Sequence, residues 1–241
     1  VSEPDLDGDV MHSGPHLTFH EVLGGSADDL AALLEIHAGL FPQYVYYQPY
    51  MRQRAPQPPD AHPPLVEHWW LVKVDGEPAG VRFFTYSPQR DCGLGLAVGV
   101  LPAYRRLSVN GYSRLSEAVL FETLAHLRLD AQAAGRPEPV GMVSEIEDYI
   151  WPRCLDYGYV RLPVDYEEPS FVHNALTAET PDVTFRPIGL GCLPTRPDTF
   201  DPTDPEILAN VVRAFLVDHY GLPDDHEAVQ RALNSIEPIR K

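Results

Sequence analysis

Between Leu17 and Leu23 the chain reads as a short extended segment that stops at Gly24-Gly25. Ser26 then opens a helix, with Asp29 three residues later as its capping-box partner. Leu30, Leu33, Leu34, His37 and Phe41 recur on one face of it until Pro42 closes the pattern. A histidine on that apolar face is expected to be packed, not to be a ligand. Residues 43–64 break the periodicity: Tyr44, Tyr46, Tyr47 and Tyr50 crowd beside Met51, Arg52 and Arg54, ahead of a proline-rich stretch ending at Pro64. Such an aromatic segment either packs over the core or lines a ligand pocket.

Extended segments follow. Trp69 to Val74 and Ala79 to Tyr86 flank Asp75-Gly76-Glu77-Pro78, a hairpin signature, and Cys92 to Val100 is apolar and spaced by glycines. From Gly111 to Ala134 the period becomes helical, with Leu120, Leu124, Leu127 and Ala131 on one face and Gly135 as the stop. Val140 to Ile146 reads as a buried strand, Tyr149 to Asp156 as a short helix interrupted near Pro152, and Tyr159 to Tyr166 as another strand. Phe171 to Ala175 and Thr184 to Ile188 can complete a sheet. Beyond the prolines 194, 197 and 202, Thr203 and Glu206 form a second capping box. It precedes a helix whose stripe is Ile207, Leu208, Val211, Val212, Phe215 and Leu216, and a shorter helix follows Asp225. These helices are expected to pack on the outside of the main domain; a homodimer contact is the other use of such a stripe. The expected fold class is α/β.

Composition narrows the setting. The chain has 241 residues, 44% of them hydrophobic, enough for one sizeable core. No apolar run reaches the roughly 18 residues of a membrane-spanning helix. The first fifteen residues lack the basic start and apolar stretch of a signal peptide and read as a loose acidic tail, so the expected location is the cytoplasm. Asp5, Asp7, Gly8 and Asp9 resemble the start of a calcium loop but lack its glutamate and flanking helices, so no metal site is expected there. Cys92, Cys154 and Cys192 show no metal-ligand spacing and are expected to be reduced thiols. With 35 acidic against 18 basic residues, the net charge of −17 disfavours nucleic acid as a partner. It favours a cationic small molecule wherever the acids converge on a pocket.

The chemistry concentrates in Val98-Gly-Val-Leu-Pro-Ala-Tyr-Arg-Arg-Leu-Ser-Val-Asn-Gly-Tyr112. A strand enters a short loop with an arginine pair and leaves as a helix, an arrangement that aims backbone N–H groups and a positive helix end at one spot. Arg105 and Arg106 can add charge to it. On Val100, Pro102, Tyr104 and Arg105, and on the element order, residues 16–190 resemble the GCN5-related N-acetyltransferase (GNAT) superfamily. Leu155-Asp-Tyr-Gly-Tyr159 looks like the end of that family's second motif.

The resemblance implies a mixed, mostly antiparallel central sheet flanked by helices, with residues 1–15 as a tail and 191–241 as a linker and helical C-terminal extension. It implies acetyl-CoA as co-substrate, its pantetheine arm held by the strand around Val98 and Val100. The pyrophosphate would meet Arg105, Arg106, Leu107, Ser108, Val109, Asn110 and Gly111, although Ser108 and Asn110 stand where the family carries glycine. Cys154 occupies the position at which family members often carry the tyrosine that protonates the leaving thiolate. It is read either as that acid or as a small buried residue. Glu145, Glu147 and Asp148 cluster where the family's central strands part. A carboxylate there can be the general base, bind an ammonium group or face solvent. The resulting expectation is an acyl-CoA-dependent N-acyltransferase acting on a small cationic amine by direct attack. The alternative is a binding or regulatory module on the same fold that has lost catalysis; a longer acyl chain is a third, weaker option suggested by the aromatic segment. No membrane and no nucleic acid partner are expected.

Overall fold

β1 (Leu17–Glu21) pairs antiparallel with β2 (Val66–Val74), and β2 with β3 (Glu77–Ser87) across the expected hairpin, whose Asp75 and Gly76 turn at φ 52° and 86°. The computed structural model describes residues 14–171 and 183–236; the acidic tail up to residue 13 and most of the segment 171–175 lie outside the described residues. Ser26 caps α1 (Ala27–Leu40), its hydroxyl accepting the Asp29 N–H, and the helix buries Leu33, Leu34, Ile36 and His37. His37 packs between the rings of Phe41 and Phe83, as its place on the apolar face required. A tight turn over Pro42–Tyr47 leads into α2 (Gln48–Arg54).

β4 (Cys92–Val100) is followed by α3 (Leu115–Ala133), β5 (Gly141–Ile146), α4 (Trp151–Asp156), β6 (Val160–Arg161), β7 (Glu167–Phe171), β8 (Val183–Pro187) and β9 (Gly189–Pro194). The seven-stranded sheet runs β1-β2-β3-β4-β5-β9-β6, and β7 and β8 form a separate hairpin. Among the described residues only the β4–β5 pair is parallel. The expected α/β architecture, a mixed and mostly antiparallel sheet flanked by helices, is therefore the one observed. Among the described residues no helix is long and apolar enough to cross a membrane.

Three expectations are corrected. The helix expected from Gly111 begins at Leu115, because Asn110 and Gly111 adopt φ 51° and 83° and close a two-residue turn between Val109 and Tyr112. Asn-Gly is the commonest sequence for such a turn. Secondly, Gly189–Pro194 is not the edge of a linker but an interior strand between β5 and β6. Gly189 and Gly191 leave room for the Trp151 indole, which a side chain at either position would strike.

The third correction concerns the C-terminal helices. α5 (Pro205–Arg213) is capped by Asp204, not Thr203, whose N–H and hydroxyl turn to Asp201 instead. It continues through a π turn over Ala214–His219 and, after a loop, α6 (Glu227–Asn234). Val211, Val212, Ala214, Phe215 and Leu216 are buried against Cys92, Leu94, Val143, Leu190 and Cys192. The helices thus cover one face of the β4–β5–β9 region, while α3 and α4 cover the other through Leu120, Leu124, Leu127 and Trp151. The C-terminal helices up to residue 236 therefore pack into the core, and among the described residues that face of the sheet has no other apolar cover.

Candidate active site

The site begins with a failure of pairing. β4 carries an extra residue, Leu96, opposite the Phe83–Phe84 step of β3, so the strand bulges there. Its parallel ladder with β5 runs only through Gly93–Met142 and Leu94–Val143. Past these pairs the two central strands part, leaving the β5-facing edge of Gly95–Val100 without a strand partner. Arg82 of β3 reaches into this parting, fully buried. Its guanidinium donates to the Ala97 carbonyl at 3.1 Å and to Thr123 Oγ1 at 3.1 Å, and it lies against Met142 Sδ. No carboxylate pairs with it among the described residues, and burial pushes its pKa down to about 10. Ser144 Oγ and the Arg82 guanidinium both stand against Gly95, which only a glycine permits. Tyr159, buried, holds its hydroxyl 3.4 Å from Ser144 Oγ.

On the α3 side of the sheet a cavity of about 410 Å³ lies between the start of α3 and α4, lined by Ser113, Arg114, Glu117, Arg153, Asp156 and Tyr157 among others. The N–H groups of Leu115 and Ser116 have no helical partner at this end. Glu117 already accepts from Ser113 N–H at 2.9 Å and from its hydroxyl at 2.6 Å. The Tyr157 hydroxyl is 2.9 Å from Ser116 Oγ. A helix end flanked by Arg114 and Arg153 suits an anion, with Glu117 and Asp156 limiting how much negative charge it accepts.

The opposite side of the parting is acidic. Glu145 accepts from Tyr166 at 2.6 Å and from Tyr220 at 2.8 Å, and Tyr220 is brought there by the π turn, its N–H bonding the Phe215 carbonyl. Desolvation, with the Glu168 charge adding to it, pushes the Glu145 carboxyl up to about 7 against the two hydroxyls that hold it down. Glu147 is bound instead to Arg186, at 2.6 Å, and Arg186 also pairs with Glu168. Tyr44 and Tyr47 of the aromatic turn feel the Glu168 charge; burial is the larger cause that pushes both phenols up. Glu145, Glu147 and Glu168 thus form a net acidic cluster beside the tyrosines of the aromatic segment, with Arg186 as its counter-charge.

Several residues singled out in the sequence do not converge here. Leu107 and Val109 give their N–H groups to Tyr104 and Tyr112, Ser108 Oγ bonds the Ser113 carbonyl, and Arg105 Nε turns back to the Val100 carbonyl at 3.1 Å. Arg105 and Arg106 do not line the α3–α4 cavity. The side chains of Val98 and Val100 pack beneath α3. Cys154 is half-buried against the α3–α4 core and burial pushes its thiol up. Asp148 is almost wholly exposed, at 96%. What sequence reading missed is Arg82, Arg114, Ser144, Arg153, Tyr159 and Tyr220. Only Arg114, at the true helix start, left a sequence signal, namely the Asn-Gly turn ahead of it.

No protein-family model and no curated protein matches the chain. Among solved structures, the chain is similar to a protein from Desulfovibrio desulfuricans ascribed to the GNAT family, at 15% identity and TM-score 0.48, over 75% of this chain and 100% of that one. It is also similar to Tetrahymena GCN5, at 12% identity and TM-score 0.46, over 75% and 97% of the two chains. A third likeness is to Escherichia coli ElaA, at 15% and 0.45, over 73% and 99%. Each is a likeness in the course of the chain, and none assigns a residue or an activity to this protein.

Proposed function

We propose that this protein is an acyl-CoA-dependent N-acyltransferase, acetyl in the simplest case, whose acceptor is a small cationic amine. The observation that carries the reading is the parting of the parallel β4–β5 pair immediately before Glu145, with an arginine-flanked helix end on one side and an acidic, tyrosine-bonded cluster around Glu145 on the other. An unpaired strand edge of this kind suits an amide-bearing linear arm, which hydrogen-bonds to it as an added strand would. The α3–α4 cavity fits a pyrophosphate through the Leu115 and Ser116 N–H groups with Arg114 and Arg153. On this reading the anion meets N–H groups four and five residues past the Arg105–Gly111 loop that the sequence pointed to.

Bound there, acyl-CoA supplies a thioester whose carbonyl accepts the amine nitrogen and whose sulfur leaves as the free thiol. The chain's own residues do the rest. Glu145, Glu147 and Glu168, offset only by Arg186, attract an ammonium group to this cluster. Glu145, with its pKa near neutrality, takes a proton from that ammonium so that the nitrogen lone pair becomes available. Tyr166 and Tyr220 hold the carboxylate in one orientation. Tyr159 keeps a proton on its hydroxyl beside the parting, in the place the sequence reading gave to Cys154. Positioning accounts for most of the rate in such a site, since no covalent nucleophile is required.

Calorimetry with CoA and a thiol-release assay over an amine panel test this. Arg114→Ala and Arg153→Ala are each expected to weaken CoA binding about 10-fold, as loss of a charge-assisted contact does. Absence of CoA binding at millimolar ligand would overturn the reading. A second reading, a CoA-binding module without catalysis, is favoured by one observation: Arg82 and Ser144 crowd Gly95 at the point where the thioester would lie. CoA binding without thiol release from any amine would establish that second reading instead.

A further inference from the structure

Away from the parted strands, α3 presents Glu122, His126 and Asp130 at successive four-residue steps, and so on one face of the helix. β2 sets His68 opposite them. One ligand atom from each of His68, His126 and Asp130 lies within 4.8 Å of the other two. We propose that His68, His126 and Asp130 form a binding site for a divalent first-row transition ion of the zinc class, with the coordination position left over facing the neighbouring cavity.

The second observation is the spacing of the nearest pair. His68, 5% exposed, and Asp130 face each other with Nε2 and Oδ2 at 3.3 Å, an ion pair when His68 is protonated. Neither atom has a further hydrogen-bond partner among the described residues, so an ion that takes the place of the His68 Nε2 proton meets both. Ligand atoms on a tetrahedral zinc, with bonds near 2.0–2.1 Å, stand about 3.3 Å apart, so this spacing is already that of a chelating pair. His126 Nε2 lies 3.8 Å from the other oxygen, Asp130 Oδ1, and closes in on the pair when all three bind one ion. Its ring stands edge-on to His68, Trp70 and Phe84, which fixes its direction.

The outer shell is also in place. His68 Nδ1 is 2.7 Å from Glu21 Oε2, and Glu21 is itself held by the Leu23 and Trp69 N–H groups. A carboxylate on the far nitrogen of a ligating histidine sets the tautomer that leaves Nε2 free for metal and makes it a better donor. Two imidazoles and one carboxylate suit zinc, cobalt, nickel or iron(II) and do not suit magnesium or calcium. The adjoining cavity, about 470 Å³, is lined by Phe19, Trp70 and Leu129 and also by Glu122, so a water or that carboxylate can complete the shell. His126 is 34% exposed, which gives the ion a way in.

The test uses the full chain stripped with a chelator, titrated with Zn²⁺ by calorimetry and with Co²⁺ by visible absorption. The expected result is one tight equivalent of Zn²⁺ and the intense visible bands of four- or five-coordinate Co²⁺. His126→Ala, at a partly exposed position whose loss the fold tolerates, should abolish both. Glu21→Gln should weaken Zn²⁺ about 10–100-fold while leaving the stoichiometry at one. Zn²⁺ should also raise the Tm of the wild type and not that of His126→Ala. No binding, or binding and Tm shift that survive in both His126→Ala and Asp130→Asn, would overturn the proposal.

Discussion

Glu145 is desolvated enough that its carboxyl is pushed up to about 7, whereas Glu147, two residues on and just past the end of β5, is tied up by Arg186. On the proposed reading, Glu145 is therefore the base. kcat/KM for an amine is expected to rise with pH through about 7, and Glu145→Gln should remove that rise and lower the rate by roughly 10²–10⁴-fold. Glu147→Gln should leave the rise in place. The same group carries a stability signature. Its folded pKa of about 7 exceeds the ordinary 4.5, so the folded chain keeps a proton that the unfolded chain releases. Stability then falls as pH climbs between those values, and Glu145→Gln should flatten that part of a denaturant-midpoint profile. On the acid side of the reaction, Tyr159→Phe is expected to lower kcat on the order of 10²-fold, while Cys154→Ala leaves it nearly unchanged. If Cys154→Ala were the slower variant, the thiol and not the phenol would be the proton donor.

Among elements, the stretch ahead of α3 shows how a short motif can hide a different local structure. The sequence pattern predicts a short arginine loop and a helix from Gly111, but Asn110-Gly111 closes a hairpin first, and the helix begins only after its N-cap, Arg114. Gly111 holds φ 83° with open space around it, so a side chain there costs conformational strain and not a clash. Gly111→Val is expected to destabilise by about 1–2 kcal/mol and to weaken CoA binding by misaligning α3, both readable by thermal melting and calorimetry. α5 depends on its cap in the same local way. Asp204 Oδ1 accepts from Glu206 N–H at 2.8 Å and is turned to Ile207 N–H as well, so Asp204→Ala should cost about 1 kcal/mol in unfolding experiments. Thr203→Ala should cost less, since Thr203 does not cap the helix.

At the scale of the whole molecule, the C-terminal helices seal one face of the sheet and deliver Tyr220 to Glu145. A chain ending at Pro202 is expected to lose cooperative unfolding, because Cys92, Leu94, Val143 and Cys192 would face water; a truncated chain with a sharp melting transition would contradict this. Phe215→Ala, fully buried, should cost about 3–5 kcal/mol. Local pattern was enough to read the strand–helix–hairpin order, the Ser26 cap, the packed His37, the apolar face of α3 and the acidic cluster on β5, since each depends on neighbours a few residues away. It could not reveal β9, whose glycines make sense only against Trp151. Nor could it reveal the partners of Arg82, Glu145 or His68. Their charges and pKa values are set by groups distant in sequence, and the burial that shifts them exists only after the sheet is covered on both faces. Most of the order of elements was legible in the residues themselves, while the raised pKa of Glu145, the burial of Arg82 and the burial of the C-terminal helices were decided by tertiary packing, because desolvation and charge pairing are properties of assembled neighbours.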